Sequence, residues 1–406
     1  MSVEGRSAEP SAAVAGRVRE AGFVRLVARA DGDALAAAGL LARASRAAGV
    51  PFQVSVAVTD AELADRLDAD GLSVTVGADP ARADLAVTGD PAHSSAGVAA
   101  TGQEGPSDDG PGSVDRPASA TAAAVANDLG GGDPVLALAG VVAAGHSTAA
   151  APELLERAER EGLVRRRPGV GVPTADPAAG LARSTLVHAP FSARPDAAAA
   201  VVEAATDAGS DSLNEDARRQ VASLVAVETA GHEDASERAA AAVERALRPH
   251  ETPAAPFATL AGYAEVLDAL ARAAPGTGVA LALSGDAREA ALDVWRDHAR
   301  RAHEGLRAAA TGRYEGLVVA RVEDAPVATT ARMLADFRSP EPAALVVADG
   351  EAAVVARPGT SAPTDALREA AADLDGDAGS LARGSYARFD ATADAFVTAF
   401  REAEAA

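Results

Sequence analysis

A strand, an acidic turn, a helix and a second strand follow one another between residues 23 and 58, and this unit constrains the fold more than any other part of the chain. The first strand, Phe23 to Ala28, is a mostly apolar run with β-branched residues. Ala34 to Ala48 then carries leucine and alanine at helical spacing and ends at Gly49, a helix stop. Phe52 to Val58 alternates as a strand does. The pattern predicts the beginning of a parallel α/β sheet.

Two aspartates, Asp31 and Asp33, stand in the turn that follows the first strand. Ligands of open α/β sheets sit beyond the carboxyl ends of the strands, so these side chains are positioned to hold a metal or a phosphate. A structural role fits the same spacing: Asp33 would cap a helix that begins at Ala34, and Asp31 would be a solvated turn residue. Spacing alone leaves both interpretations open.

The composition is that of a protein adapted to strong salt. The 406 residues carry a net charge of -22 and include no lysine, no isoleucine and no cysteine. Lysine and isoleucine codons are A/T-rich, so their absence indicates a G/C-rich genome, and the acidic charge spread along the chain is typical of a salt-loving archaeon. In molar salt the Debye length falls to about 3 Å, and the sign of the net charge therefore does not exclude nucleic acid as a partner.

Missing residue types exclude several classes of site. Without cysteine the chain has no disulfide, thiolate nucleophile or cysteine-rich zinc site. Without lysine it has no P-loop lysine, kinase lysine or Schiff-base chemistry. The first residues show no basic and then apolar leader, and the alanine-rich run from Val135 to Ala151 is too short and mild to span a bilayer. We expect a cytoplasmic protein without a membrane partner.

The remaining pattern predicts three domains. Strands at 72–76 and 84–87 extend the first sheet, whereas residues 91–116 are rich in Gly, Ser, Pro and Asp and predict a poorly ordered loop. Residues 195–309 have mostly helical patterns, and α/β alternation returns from Tyr314. We therefore predict an α/β fold with a parallel-sheet domain at 1–190, a mainly helical connecting region at 191–310 and a smaller C-terminal α/β domain at 311–406.

Two sets of basic residues lie outside these patterns. Arg165, Arg166 and Arg167 form the densest basic run, which is either a solvated turn or a nucleic-acid contact. His298 and His303 stand among arginines on what we expect to be a charged helix face. Their spacing of five is not the i, i+4 spacing of a helical metal pair.

The run VARADGDALAAAGLLARA resembles the first motif of the DHH phosphoesterase superfamily, in its archaeal RecJ-like branch. That motif reads His-x-Asp-x-Asp-Gly before a helix of small residues. Asp31 and Asp33 match its aspartates, whereas Arg29 stands at the histidine position and Ala34 at the glycine position. The Asp-His-His triplet that names the superfamily is absent from the chain. In the sequence GDPAHS, Asp90 and His93 are the remnants nearest to its expected place.

The C-terminal pattern resembles the domain that accompanies DHH domains and grips the nucleic-acid or nucleotide substrate. Arg357, after a strand, matches the arginine that meets a phosphate in such relatives. The glycine-rich turn that should follow is replaced by DGDAGSLARG, which contains no histidine. The resemblance implies that Arg383 and Arg388 either compensate for this loss or are surface charges.

A two-metal hydrolase needs a cluster of carboxylates and histidines to hold both ions. Because most of the matching positions are lost, the resemblance implies a RecJ-like protein without nuclease chemistry or a cofactor. Such a protein would be a replication or repair scaffold that binds GINS, MCM and single-stranded DNA. The alternative is a working manganese- or magnesium-dependent phosphoesterase, either a single-strand exonuclease or an oligonucleotide hydrolase, with Asp31, Asp33, Asp90 and His93 as metal ligands.

Overall fold

The structure is a computed structural model. It describes residues 8–68, 70–78, 83–88, 117–206, 213–357 and 359–405. The predicted loop at 91–116 lies outside the described residues, as do Asp90 and His93.

The N-terminal part is built on the parallel sheet that the sequence predicts. The four strands that the structure describes in this sheet run in the order β2-β1-β3-β4, and every neighbouring pair is parallel. The helix after β1 is almost entirely buried, and its small side chains let other helices pack closely against it. A Cβ atom at Gly39, for example, would lie 2.5 Å from the Cβ of Ala282. The elements are α1 (Ala8–Glu20), β1 (Val24–Arg29), α2 (Gly32–Ala47), β2 (Phe52–Ala57), α3 (Asp60–Leu67), β3 (Leu72–Val76), β4 (Leu85–Val87), α4 (Ala118–Asp128), α5 (Pro134–Ala143) and α6 (Pro152–Arg160).

The described middle of the chain is helical, as expected, and includes a short antiparallel strand pair. Leu267 and Trp295 from this region belong to the same apolar core as Leu35 of α2, so part of the helical region is continuous with the N-terminal core. The domain boundaries at 190 and 310 remain predictions. The elements are β5 (Arg165–Arg166), α7 (Pro177–Leu181), α8 (Pro195–Glu203), α9 (Glu215–Ala230), α10 (Ala239–Glu244), β6 (His250–Glu251), α11 (Leu260–Ala273), α12 (Pro275–Ser284) and α13 (Arg288–Ala308).

The C-terminal part is a six-stranded mixed sheet in the order β11-β12-β10-β9-β8-β7, with helices against it. Only β8 and β9 pair in parallel among these strands. The predicted helix at 327–338 forms, but its last turn, Leu334–Arg338, is π-helical. The elements are β7 (Ala310–Tyr314), β8 (Leu317–Arg321), α14 (Val327–Met333), β9 (Ala343–Ala348), β10 (Glu351–Ala356), α15 (Thr364–Ala372), β11 (Asp377–Leu381), β12 (Gly384–Arg388) and α16 (Ala393–Ala405).

No helix in the described part of the chain is both long and apolar enough to cross a bilayer.

Candidate functional site

A cavity of about 170 Å³ lies where the parallel sheet, the helical region and the C-terminal sheet meet. Ala30 and Val58, which follow β1 and β2, form one wall, so the cavity is at the carboxyl ends of these strands, as the α/β pattern predicts. Arg272 and His298 line it from α11 and α13, and Arg388 lines it from β12.

Asp31 is the N-cap of α2. Its backbone is extended, and one carboxylate oxygen accepts a hydrogen bond from the Ala34 amide at 2.8 Å. The other oxygen accepts a hydrogen bond from the Nε atom of Arg29 and forms an ion pair with it. The expectation that Asp33 caps a helix beginning at Ala34 was therefore wrong, because the helix begins two residues earlier at Gly32. Asp31 is buried and is not the solvated turn residue that we considered.

Asp33 caps a different helix. Its carboxylate accepts hydrogen bonds from the amides of Ala118 (2.8 Å) and Ser119 (2.9 Å) at the start of α4. The N-cap residue of α4 is Pro117, which supplies no capping side chain, and Asp33 satisfies these amides instead. Burial, together with the neighbouring charge of Asp31, raises the pKa of Asp33 to about 6.

A third carboxylate, that of Asp268 on α11, contacts the turn that carries Asp31 and Asp33. The amide of Gly32 donates a hydrogen bond to it at 3.3 Å, and Arg272 pairs with it at 2.5 Å. Burial acts to raise the pKa of Asp268, but the guanidinium groups of Arg272 and Arg332 together outweigh burial, and the pKa is lowered. Gly32 is required at this point, since a Cβ atom there would lie 2.9 Å from the backbone nitrogen of Asp268.

The donor set that is described does not fit a two-metal centre. Within the described ranges, no three His, Asp or Glu side chains are arranged to hold a metal ion. Arginines pair with Asp31 and Asp268, and the carboxylate of Asp33 is directed at two backbone amides. Asp90 and His93, the other two predicted ligands, lie outside the described residues.

His298 and His303 are buried, and the expectation of an exposed charged face was wrong for both. The Nε2 atom of His298 is 2.8 Å from the hydroxyl of Thr329. The Nε2 atom of His303 is 3.1 Å from the carbonyl oxygen of Ser184, and its Nδ1 atom is 3.0 Å from the Nδ1 atom of His188. A carbonyl only accepts, so Nε2 of His303 carries the proton, and His188 donates from Nδ1. Burial lowers the pKa of each imidazole, to about 3 for His298 and His303 and about 2 for His188.

The helix α11 carries charged groups that the sequence reasoning missed. Glu265 and Asp268 lie one turn apart on a helix whose other residues are mostly apolar. Glu265 accepts hydrogen bonds from the Thr185 amide and, at 3.0 Å, from the Ser184 hydroxyl. Acidic residues inside an apolar helical repeat indicate buried polar contacts, and this signal could have identified the pair.

The three predicted nucleic-acid-binding arginines occupy two places. Arg357 and Arg383 line an open groove of about 360 Å³ between the end of β10 and the start of β12. The guanidinium of Arg383 is committed to an ion pair with buried Asp336 at 2.9 Å. Arg388 lies instead in the cavity of about 170 Å³ described above, where it pairs with Glu62 at 2.7 Å. No carboxylate in the described ranges forms an ion pair with Arg357.

Sequence comparison matches the chain to a family model and to a relative. Residues 309–402 match the family model of the C-terminal domain of the uncharacterised protein rrnAC1427. The chain is 44% identical to rrnAC1427 from Haloarcula marismortui over 409 residues, which cover 99% of this chain and 100% of the relative.

Structural comparison identifies the fold. The chain is similar to CDC45 from Entamoeba histolytica, with a TM-score of 0.63 and 9% identity over 98% of this chain and 99% of that one. It is also similar to manganese-bound RecJ from Thermus thermophilus, with a TM-score of 0.50 and 17% identity over 99% of this chain and 55% of that one. Structural matches at such low sequence identity establish the fold alone. The two matches confirm the RecJ-like fold and the predicted order of parallel-sheet domain, helical region and C-terminal α/β domain.

Proposed function

The chain belongs to the family of the haloarchaeal protein rrnAC1427, and from this premise we propose that it is a RecJ-like scaffold of DNA replication or repair that has no nuclease centre of its own. In this proposal it works in the cytoplasm by presenting surfaces to other replication proteins. It needs no metal cofactor for that role.

The observation that carries the proposal is the use made of Asp31 and Asp33. A working metal centre needs carboxylate oxygens that are free to bind an ion. Here Asp31 caps α2 and pairs with Arg29, while Asp33 holds the start of α4. The arginine at the histidine position of the first motif supplies a fixed positive charge next to Asp31. A manganese or magnesium ion would have to compete with that guanidinium.

The likeness of fold supports a RecJ-like architecture. The match to CDC45 spans nearly all of both chains with a TM-score of 0.63, and the choice of the scaffold role over the nuclease role rests on the contacts of Asp31 and Asp33. The partners that we propose, GINS and MCM, come from the resemblance to RecJ-related replication proteins. Single-stranded DNA is the further ligand in this proposal.

Partner capture tests the scaffold role directly. The purified chain, immobilised in molar KCl, is expected to retain recombinant GINS or MCM proteins from the same organism. An unrelated acidic protein of similar size from that organism serves as the control, because it has the same general charge. Retention no greater than that control would overturn the scaffold proposal.

Replacement of both Asp31 and Asp33 by alanine is expected to leave manganese-dependent cleavage of single-stranded DNA and short oligonucleotides at the background of the parent. Each change should still lower the free energy of unfolding. Loss of the Asp31 cap costs about 0.5 to 2 kcal/mol, and loss of Asp33 leaves two buried amides unsatisfied, at about 1 to 3 kcal/mol. Manganese-dependent cleavage by the parent that disappears in the double variant would instead support a working phosphoesterase.

A further inference from the structure

Two chain segments, residues 165–171 and 246–251, run antiparallel and form what we call the arginine ribbon. β5 and β6 pair at one end, where Arg166 lies opposite His250. Backbone hydrogen bonds continue the pairing to the amide of Gly171, which donates to the carbonyl of Ala246 at 2.7 Å. The basic run noticed in the sequence is thus part of a defined two-stranded element and not a simple turn.

One carboxylate on this ribbon, that of Glu251, forms ion pairs with three guanidinium groups. Arg165 approaches it at 3.1 Å, Arg167 at 3.4 Å and Arg218 of α9 at 2.5 Å. Burial acts to raise the pKa of Glu251, but the arginines outweigh burial and lower it. A single negative charge cannot neutralise three cations. This part of the ribbon therefore keeps an excess of positive charge, reduced on one side by a longer contact of 3.8 Å between Arg167 and Glu215.

Two further arginines extend the positive surface. Arg166 and Arg248 are exposed, and no carboxylate in the described part of the chain lies within ion-pair distance of either. Arg248 has a φ of 51°, a left-handed conformation that is unusual for a residue other than glycine. The pKa of neighbouring His250 is lowered by burial and by the charge of Arg166, and the carboxylate of Glu159 on α6 opposes this effect. Arg166 and Arg248 therefore add two uncompensated positive charges next to the cluster at Glu251.

We infer that the arginine ribbon binds the phosphate backbone of single-stranded nucleic acid, without regard to base sequence. Guanidinium groups are suited to phosphate because their forked donors can bind two oxygens at once. Such contacts are short-ranged and act within the reduced Debye length of molar salt. The local excess of arginine therefore matters more than the negative charge of the distant surface.

The chemistry of the ribbon favours nucleic acid over an acidic protein segment. Protein interfaces are anchored by large apolar or aromatic side chains in a water-excluded centre. The ribbon segments contain no Phe, Tyr or Trp. Val227 is the large apolar side chain that is exposed in the described part of the chain, and it lies on α9 outside the ribbon. Backbone contact with phosphate needs no such anchor, and without aromatic stacking we expect no base preference.

The test uses the whole chain and a labelled oligothymidylate, with affinity measured by fluorescence anisotropy over a series of KCl concentrations. The ribbon variant replaces Arg165, Arg166 and Arg248 by glutamine. It is expected to bind about tenfold more weakly, and the slope of log affinity against log salt should become shallower by about 2, since each phosphate contact on a single strand contributes about 0.7. Thermal unfolding of the variant checks that it folds.

A matched control separates local contact from general charge. Arg46, Arg313 and Arg401 are exposed arginines on other elements, and their replacement by glutamine changes the net charge equally. This control is expected to bind as the parent does. An equal loss in both triple variants would overturn the inference, as would a loss confined to Arg357→Ala, which would assign the contact to the C-terminal groove.

The inference rests on the DNA-binding part of the proposed function, and its failure can be told apart from failure of the scaffold role. A parent that captures GINS or MCM but does not bind the oligonucleotide overturns the ribbon inference alone. A second binding assay uses poly-glutamate, an acidic polypeptide, as the ligand. If the ribbon variant loses binding to poly-glutamate and keeps its affinity for the oligonucleotide, the ribbon serves an acidic protein segment and the inference is wrong.

Discussion

Replacement of Asp336 by alanine is expected to lower the free energy of unfolding by about 3 to 5 kcal/mol, the range for breaking a buried ion pair by removing one partner. Asp336 lies in the π-helical turn after α14 and is buried. Its carboxylate pairs with Arg245 at 2.6 Å, Arg383 at 2.9 Å and Arg332 at 3.8 Å. These arginines come from the helical region, the last hairpin and α14, so one carboxylate joins three parts of the chain.

The expected cost is large because Asp336 is buried and the guanidinium of half-buried Arg332 lies beside it. Burial lowers the pKa of Arg332, and the charge of Asp336 opposes that effect more than any other carboxylate does. Removing Asp336 leaves a guanidinium in a low-dielectric surrounding with less of its counter-charge. Arg332 still donates to the side chain of Thr185 at 2.7 Å, but a neutral hydroxyl cannot balance a charge.

Urea unfolding at a fixed molar KCl concentration measures this change. Asp394→Ala is the matched control, since Asp394 is exposed and pairs with Arg321 on the surface at 2.7 Å. An exposed pair contributes about 0.2 to 1 kcal/mol. If Asp336→Ala costs no more than Asp394→Ala, the three arginines are satisfied without the carboxylate, and Arg383 becomes available again as a candidate nucleic-acid contact.

The elements of the fold could be predicted where a local pattern determines them. The unit from β1 to β2 follows from apolar alternation, helical spacing and a glycine stop, and all of these are properties of neighbouring residues. The C-terminal strands and helices are predicted for the same reason. The observed ends of the elements differ from the predicted ends by one or two residues, and the N-cap of α2 is therefore Asp31 and not Asp33.

The site could not be predicted in the same way, because its contacts join residues that are far apart in the chain. Asp33 caps a helix that begins 85 residues later. Arg388 pairs with Glu62 across 326 residues. No spacing rule connects such pairs.

The error on α13 had a different origin. His298 and His303 share a helix face with Trp295 and Leu306, and this apolar periodicity could have identified them as buried. The prediction of a charged face followed the neighbouring arginines instead of this periodicity.

Two buried histidines, His298 and His303, and the half-buried His188 make the stability of the protein sensitive to acid. In the native state His188, His298 and His303 stay neutral to about pH 2 or 3, whereas in the unfolded chain they take up protons below about 6.5. The unfolded state therefore binds more protons over this window. Stability is fully present above pH 6.5 and falls as the pH is lowered, by about 1.4 kcal/mol per pH unit for each imidazole.

The acidic groups oppose this loss only in part. Burial raises the pKa of Asp33 to about 6 and also raises the pKa of Glu265, so in the native state each binds a proton before it does in the unfolded chain. Their contribution to stability grows as the pH falls below about 6. Three imidazoles outweigh these two carboxyl groups, and the expected net loss is about 1 to 3 kcal/mol per pH unit between pH 6 and pH 5.

With a total stability of about 5 to 15 kcal/mol, typical of a folded protein, the chain is expected to unfold on mild acidification at constant salt. Urea unfolding at several pH values measures the slope. Substituting His188 and His303 together by glutamine should remove about 2 to 3 kcal/mol per pH unit from the slope, so that stability stays nearly constant or rises slightly between pH 6 and pH 5. Val225→Ala, a buried change without a titratable group, should lower the curve without changing its slope. An unchanged slope in the histidine variant would mean that these imidazoles gain protons in the native state as readily as in the unfolded chain, and acid sensitivity would then have to arise elsewhere.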